Sequence, residues 1–262
     1  MCYDAAALPP VPGPAVTQVA EAGPLTLTAT DGALVGAYLA RPERPSGAAV
    51  LVLPDNKGLS VFYETLTIRL AEQGHTALAI DYFARTAGID YRSRGAEFDD
   101  MAVLMPHLVR LTPASLDADI NAAAEHVRSI EARSLFSLGF CFGGRQAFRS
   151  AAARFGLAGA VGFYGFPDAI NGAPGPTQLA ADLTAPILAL WGGADEAIPP
   201  ATVDAFAEAL TTAGCPHEFV TYPGAPHGFF ELAARDFADA AADAWRRTLD
   251  FVGTHAGLTS ET

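Results

Sequence analysis

Apolar and polar positions alternate along the chain in blocks of two kinds. Short, mostly apolar runs are typical of strands buried on both faces, and they occur at 48–53, 77–80, 135–138, 157–164, 186–191 and 217–221. Segments with helical periodicity lie between them, at 61–73, 113–129, 142–155, 200–213 and 232–252. Strands that alternate with helices predict an α/β fold with a mainly parallel central sheet and helices on both faces.

The first part of the chain follows a different pattern. Residues 25–30 and 34–40 alternate apolar and polar side chains around Asp31-Gly32, which predicts an N-terminal antiparallel hairpin. Residues 1–24 contain several prolines and are predicted to form an irregular arm. Because neither a repeat nor a linker interrupts the rest, we expect one domain over 25–255 and a flexible tail over 256–262.

Two longer segments fit neither pattern. Residues 82–97 are mostly polar and include Arg85 and Arg92, and residues 165–184 contain glycine and proline. Long loops in compact domains are usually functional, so 82–97 is expected to contribute to a site.

The composition narrows the possible partners. The 262 residues carry a net charge of −13 and a single lysine, so neither a nucleic acid nor an anionic membrane surface is an expected partner. No apolar run approaches the roughly 18 residues of a membrane span. The N-terminus lacks the basic and apolar regions of a signal peptide. We therefore expect a cytoplasmic, reducing location, in which a thiol stays usable.

One of the three cysteines lies in a pattern typical of a nucleophile. Gly139-Phe140-Cys141-Phe142-Gly143-Gly144 follows a predicted strand and precedes a predicted helix. The glycines allow a sharp turn, and the thiol then lies above the helix N-terminus, whose partial positive charge favours the thiolate. We interpret Cys141 as the nucleophile of a strand–helix elbow. The alternative is a buried structural cysteine on a tight turn.

The other two cysteines, Cys2 and Cys215, carry no motif. No CxxC pair is present and the number of cysteines is odd, so the sequence indicates neither a disulfide framework nor a zinc site. We expect neither a metal nor a cofactor.

Asp195 and His227 are the predicted partners of Cys141. Each follows a predicted strand, and sheets of this kind bind ligands at the carboxyl ends of their strands. The chain order nucleophile, acid, histidine is that of α/β-hydrolases. His227 would form an ion pair with the thiolate and transfer its proton, and Asp195 would orient the imidazole.

Each of these residues has an alternative. Glu196 could replace Asp195, which could itself cap the following helix. His227 on its own could be a surface loop residue. His217 and His75 are rival bases, but each lies at the start of a strand and therefore at the opposite edge of the sheet.

The loop Pro54-Asp55-Asn56-Lys57-Gly58 connects a buried strand to a helix. The backbone N–H groups of Asn56 and Phe142 are predicted to form an oxyanion hole, in which each donor contributes about 3 kcal/mol. Asp55 could instead act as a helix cap.

Together these blocks resemble the dienelactone hydrolase family (carboxymethylenebutenolidases) of the α/β-hydrolase superfamily. The resemblance spans about residues 25–252 and is carried by the segments 54–58, 81–85, 139–144, 193–195 and 227–229. It implies an α/β-hydrolase fold and a Cys-Asp-His triad, here Cys141, Asp195 and His227.

The resemblance also implies roles around the triad. The family has a thiol-activating glutamate in the first loop, and this chain has the shorter Asp55, so its contact with the sulfur is open. Members acting on dienelactone bind the substrate carboxylate with arginines. Arg85 matches one of them, although it could be a solvated loop residue. The other position is held by Phe230 and Glu231, and a glutamate there would repel a carboxylate.

Further substrate contacts are predicted on the same basis. Lys57 or Arg92 could substitute for the missing arginine. Four aromatic residues could form an apolar acyl pocket, although each could equally be core: Phe62, Phe83, Phe142 and Tyr164.

The sequence thus predicts a cofactor-free hydrolase of ester or lactone bonds that works through an acyl-thioester on Cys141. Glu231 favours a less acidic substrate than dienelactone. The competing hypothesis is a non-catalytic small-molecule binding protein with the same fold. A redox protein is disfavoured because no resolving cysteine lies near Cys141 in the sequence. The oligomeric state is not predicted.

Overall fold

One eight-stranded sheet forms the centre of the structure. The computed structural model describes residues 8–130, 132–231 and 233–257, without the side chains of residues 95 and 96. Within these ranges the strand order is β1-β2-β4-β3-β5-β6-β7-β8. The strands are β1 (Val19–Thr28), β2 (Leu34–Pro42), β3 (Ala48–Leu53), β4 (Thr76–Asp81), β5 (Ser134–Phe140), β6 (Gly159–Phe163), β7 (Ile187–Gly192) and β8 (His217–Tyr222).

The strand directions match the predicted α/β fold. β1 pairs with β2 and β2 with β4 in antiparallel fashion, and all other neighbours are parallel. β3, β4 and β7 are buried along their whole length, as their continuous apolar runs predict. The predicted N-terminal hairpin and the mainly parallel sheet are confirmed.

Helices lie between the strands and after the last one. They are α1 (Val61–Glu72), α2 (Ala84–Ala87), α3 (Tyr91–Arg94), α4 (Met101–Leu108), α5 (Pro113–Ser129), α6 (Phe142–Ser150), α7 (Pro200–Ala213) and α8 (Ala238–His255). Thr112 caps α5 and Pro113 is its first residue, as predicted. Among the described helices, none is long and apolar enough to cross a membrane.

The register of the parallel strands assembles the site. Leu53 at the end of β3 lies opposite Gly139 in β5, and Phe140 lies opposite Phe163 at the end of β6. The loops after these strands therefore begin side by side at the carboxyl edge of the sheet, which is where ligands bind in such folds.

Strand β1 is longer than predicted. It begins at Val19 and pairs with β2 up to Thr28, so residues 19–24 are not part of an irregular arm. The prediction excluded this part of the strand because proline disrupts interior strands. β1 is an edge strand, where Pro24 is tolerated. Residues 1–7 of the predicted arm lie outside the described residues, and the division into arm, domain and tail otherwise stays a prediction.

The segment after β4 and the closing helix also differ from prediction. The predicted loop 82–97 contains α2, α3 and a 3₁₀ turn, Gly95–Asp99, and α4 was not predicted because Pro106 interrupts its pattern. α8 begins at Ala238 rather than at 232 and ends at His255. Most of the predicted tail, 258–262, lies outside the described residues.

Candidate active site

Cys141 occupies a strained turn between β5 and α6. Its backbone has φ 52° and ψ −111°, outside the regions that residues with side chains usually adopt. Its N–H donates to the carbonyl of Phe163 in the neighbouring strand over 3.0 Å. Strain of this kind persists only where the surroundings enforce it, and it is found mainly at functional sites. The backbone at Cys141 thus makes the sharp turn that the sequence predicts.

Two glycines are required here by close backbone contacts. A Cβ on Gly139 would lie 2.0 Å from the carbonyl oxygen of Gly143, and a Cβ on Gly143 would lie 1.9 Å from that of Leu53. Both distances are far below van der Waals contact, so no other residue fits without moving the backbone. The second contact also packs the end of β3, and the loop that follows it, against the first turn of α6.

The N-terminus of α6 lies directly after the thiol. Phe142 begins the helix, so its N–H has no hydrogen-bond partner within the helix. This end of the helix carries a partial positive charge, and Cys141 beside it is partly exposed. Cys215 lies just before β8, at the opposite edge of the sheet. Cys2 lies outside the described residues.

Asp195 and His227 form the second part of the site. The Nδ1 of His227 and the Oδ2 of Asp195 are 2.7 Å apart, and the Asp195 side chain is only 2% exposed. The Oδ1 of Asp195 accepts the N–H of Ala197 at 2.9 Å. The N–H of Ala194 donates to the carbonyl of Ala225 at 2.9 Å and ties the turn after β7 to the histidine loop. A fixed, buried carboxylate on Nδ1 orients the imidazole and directs Nε2 away from Asp195.

Tyr164 connects the histidine to the cysteine turn. Its ring centroid is 4.9 Å from that of His227, and it directly follows Phe163, whose carbonyl holds Cys141. Tyr164 is completely buried and has a φ of 38°. Tyr164 therefore supports the His227 ring, and its predicted contact with substrate stays a prediction.

The structure also shows where the alternative acid and the alternative bases lie. Glu196 is exposed, and Asp195 is the carboxylate that binds His227. His217 begins β8, and His75 directly precedes β4. Both histidines therefore lie at the amino edge of the parallel strands, away from Cys141.

The loop after β3 is held by two tyrosine hydroxyls. The N–H of Asp55 donates to the hydroxyl of Tyr63 at 2.9 Å, and the hydroxyl of Tyr82 donates to the carbonyl of Pro54 at 3.1 Å. Burial, together with the charge of Asp55 and other neighbours, raises the pKa of Tyr82 well above its ordinary value, so this hydroxyl stays a donor. The backbone that carries Asn56, a predicted oxyanion donor, is thus fixed beside the first turn of α6.

Asp55 is itself completely buried. Its Oδ1 accepts the N–H of Lys57 at 2.9 Å, which closes a turn within the loop. The structure therefore gives Asp55 a part in shaping this loop, and its predicted role in thiol activation stays a prediction.

Glu231 occupies a position that the sequence did not reveal. Its side chain is buried, and its Oε1 and Oε2 accept the hydroxyls of Tyr63 at 2.5 Å and Tyr164 at 2.9 Å. These oxygens bind two hydroxyls inside the protein, and the predicted repulsion of a substrate carboxylate stays a prediction. Tyr63 is 168 residues away in the chain and looks like an ordinary core position of α1, so no local pattern indicates the contact.

Arg85 is bound by two carboxylates of the protein. Its Nε and Nη2 donate to Oδ1 of Asp119 at 2.9 and 2.6 Å, and its Nη1 donates to Asp31 at 2.6 Å. The side chain is 15% exposed and that of Asp119 only 1%. Arg85 therefore connects the N-terminal hairpin, α2 and α5, and its predicted anion-binding role stays a prediction.

Three other predicted substrate contacts also have partners within the protein. Lys57 forms an ion pair with Asp99, and Arg92 binds Glu64 at 2.7 Å. Phe83 is completely buried and packs edge-to-face against a neighbouring aromatic ring. These contacts contribute packing and ion pairing around the segment after β4, and the roles in substrate binding stay predictions.

A cavity of about 400 Å³ lies beside Phe142. Its apolar walls include Leu108, Leu111, Leu116, Ile170, Pro174 and Leu179, and the polar side chains of Gln146, Arg149 and Arg154 also line it. Arg145 also lines it and donates to the carbonyl of Phe166 at 2.9 Å, which holds the segment after β6 against α6. The cavity offers space for an apolar part of a ligand next to the cysteine turn.

Comparison with known sequences identifies related hydrolases. The sequence model of the dienelactone hydrolase family matches residues 35–256. The "Carboxymethylenebutenolidase" of Rhodococcus opacus is 30% identical in an alignment 263 residues long. The alignment covers 96% of this chain and 96% of that protein. The "Putative carboxymethylenebutenolidase" of Escherichia coli is 32% identical over 236 residues, which cover 86% of this chain and 84% of that protein.

Comparison with solved structures points to the same family. The crystal structure of a "Putative Dienelactone Hydrolase" from Klebsiella pneumoniae superposes with a TM-score of 0.77 at 30% identity. The match covers 89% of this chain and 98% of that one. The predicted α/β-hydrolase fold is confirmed.

Proposed function

The chain belongs to the dienelactone hydrolase family of ester and lactone hydrolases, and we propose that it cleaves such bonds with Cys141 as the nucleophile. One observation carries this proposal: the strained turn at Cys141 and the His227–Asp195 pair lie at the same edge of one sheet. The pair gives the reaction a base, and the turn presents a thiol at a helix N-terminus.

The first half of the reaction forms a thioester. The Cys141 thiolate attacks the carbonyl carbon, and the carbonyl oxygen becomes an oxyanion that the N–H groups of Asn56 and Phe142 stabilise. When the intermediate collapses, the C–O bond breaks and the alkoxide leaving group takes a proton from the His227 imidazolium. Asp195 keeps the imidazole in the tautomer that this transfer needs.

The second half regenerates the Cys141 thiolate. His227 accepts a proton from a water molecule, whose oxygen attacks the thioester carbonyl. The second tetrahedral intermediate expels the Cys141 thiolate and releases the carboxylic acid. Because a thiolate is readily oxidised, this mechanism suits the predicted cytoplasmic, reducing location.

We further propose that the substrate is an ester or lactone without a carboxylate of its own. The cations suggested as carboxylate ligands, Arg85, Lys57 and Arg92, all bind carboxylates of the protein. A substrate carboxylate that bound one of these three cations would have to displace its partner in the protein, with a loss of ion pairing.

Ester hydrolysis by matched variants tests the proposal. Wild type, Cys141→Ser and Cys141→Ala are assayed on nitrophenyl esters and on neutral lactones. We expect Cys141→Ala to lose at least about 10³-fold in kcat/KM, and Cys141→Ser to keep a small residual rate because a hydroxyl is a weaker nucleophile than a thiolate. A wild type without turnover on the whole panel would instead favour a binding protein with this fold.

A further inference from the structure

We propose that Glu231 is a positioning residue that holds the two halves of the active site in register. One of its oxygens binds Tyr63 and the other binds Tyr164. Tyr63 binds the loop 54–58, called the oxyanion loop because it carries Asn56, and the ring of Tyr164 contacts that of His227. This inference rests on the proposed function, because it assigns a task to Glu231 within that same site.

The first arm runs to the oxyanion loop. The Tyr63 hydroxyl donates to Oε1 of Glu231 at 2.5 Å and accepts the N–H of Asp55 at 2.9 Å. All three residues are buried. Because Asp55 directly precedes Asn56, this chain of hydrogen bonds sets the direction of the peptide whose N–H is to meet the oxyanion. Hydrogen bonds shielded from water are strong enough to fix such a loop.

The second arm runs to the general base. The Tyr164 hydroxyl donates to Oε2 of Glu231 at 2.9 Å, and the Tyr164 ring lies against the His227 imidazole at 4.9 Å between centroids. Tyr164 has a positive φ of 38°, which a residue with a side chain adopts only when its surroundings hold it there. Glu231 provides such a hold, because it anchors the far end of the tyrosine side chain.

The chemistry of a carboxylate suits this double task. A carboxylate accepts hydrogen bonds at both oxygens, whereas glutamine offers one accepting oxygen and one donating amide group. Glu231→Gln therefore preserves shape and volume but leaves one tyrosine hydroxyl facing an N–H donor. A buried donor without an acceptor is costly, so one arm must shift.

The two arms predict different kinetic defects. Tyr63→Phe removes the contact to the oxyanion loop, so we expect the acylation rate constant to fall about 10- to 30-fold, with KM changed less than about threefold. Tyr164→Phe keeps the ring under His227 but removes its anchor. We expect the pH midpoint for alkylation of Cys141 by iodoacetamide to rise by about half a unit or more, because a displaced imidazolium stabilises the thiolate less.

Glu231→Gln is expected to show a defect of at least one of these two kinds. In a double-mutant cycle, Tyr63→Phe in the Glu231→Gln background should cost less than in wild type, because the shared contact is already disturbed. Tyr222→Phe is the matched control. It removes a tyrosine–carboxylate hydrogen bond of 3.0 Å to Asp243, and it should leave the acylation rate and the alkylation midpoint unchanged.

The measurement separates positioning from a merely structural role. Thermal melting is recorded for every variant, and the alkylation midpoint needs no turnover. If Glu231→Gln lowers the melting temperature but moves neither the acylation rate by more than about twofold nor the alkylation midpoint, the inference is overturned. If wild type itself does not turn over any ester or lactone, the proposed function fails, and the alkylation arm still decides whether Glu231 acts on Cys141.

Discussion

The two halves of the active site differ in what sets the positions and roles of their side chains. On the side of β5 to β8, Cys141, Asp195 and His227 lie in short turns directly after strands, and the backbone sets their positions. On the side of β3 and β4, Arg85 binds a carboxylate 54 residues away, and Lys57 binds one 42 residues away. A role set by a local turn can be read from the sequence, whereas the role of a charge depends on the partner that the fold brings to it.

This difference has a functional meaning. The half with local motifs carries the proposed triad, and the other half carries the loop with Asn56 together with ion pairs that stabilise the fold. The comparison predicts large losses of activity from substitutions on the first side, and losses of stability without a change of substrate preference on the second.

The largest effect is expected at the acid of the first half. Asp195→Asn should lower kcat/KM for a neutral ester by about 10³-fold, because asparagine can bind the wrong tautomer of His227. Glu196→Gln is the matched control, since its side chain is exposed and Asp195 is the carboxylate at Nδ1 of His227, and its rate should stay within about twofold of wild type. Equal losses in both variants would contradict the assignment of the acid.

The next effect concerns Arg85 in the second half. Arg85→Met should lower the free energy of unfolding by about 3 kcal/mol, because it leaves the buried Asp119 carboxylate without its cation. Urea denaturation measures this loss. The kcat/KM ratio between a carboxylate-bearing lactone and its methyl ester should stay within about twofold of wild type. A tenfold fall in that ratio would show that Arg85 binds the substrate carboxylate, and it would contradict the proposed difference between the two halves.

The stability of the same variant should also depend on pH. Burial raises the pKa of Asp119 to about 6 even though Arg85 lowers it. Because this folded pKa lies above the unfolded one, the folded state holds the proton more tightly, and this contribution to stability falls as the pH rises from about 4 to 6. Without Arg85 the window extends to higher pH. The loss of stability in Arg85→Met should therefore be larger at pH 8 than at pH 5, and a loss independent of pH would contradict this reasoning.

The smallest effect is expected at Lys57. Its ion pair with Asp99 is partly exposed on the aspartate side, so Lys57→Met should cost about 0.5 kcal/mol of stability. The rate on a neutral ester should change less than about threefold, because the charge serves the loop and not the substrate. A selective loss of activity on anionic substrates would instead assign Lys57 to the site.

Much of the fold and of the proposed triad could be predicted from the sequence, for a physical reason. The apolar runs of β3 and β7 are long enough to require burial on both faces, and the glycines around Cys141 are required by backbone contacts of about 2 Å. The strand β1 was read too short because Pro24, which breaks an interior strand, is tolerated at an edge.

The protein partners of Arg85 and Glu231 could not be predicted, because these contacts are long-range. Nothing near Arg85 indicates that Asp31 and Asp119 will enclose its guanidinium. Likewise, nothing near Glu231 indicates that Tyr63, 168 residues earlier, will bind one of its oxygens. A titratable residue whose partners lie on distant elements can be assigned only after the elements have been packed.

The central claim is that Cys141 carries the acyl group, and trapping that group tests it most directly. Wild type is mixed with a nitrophenyl ester of a bulky acid, quenched in acid within the burst of nitrophenolate release, digested and examined by mass spectrometry. We expect the acyl mass on the peptide that contains Cys141, in an amount that matches the burst, and no adduct in Cys141→Ala. A stoichiometric burst with the acyl group on any other residue would contradict the account.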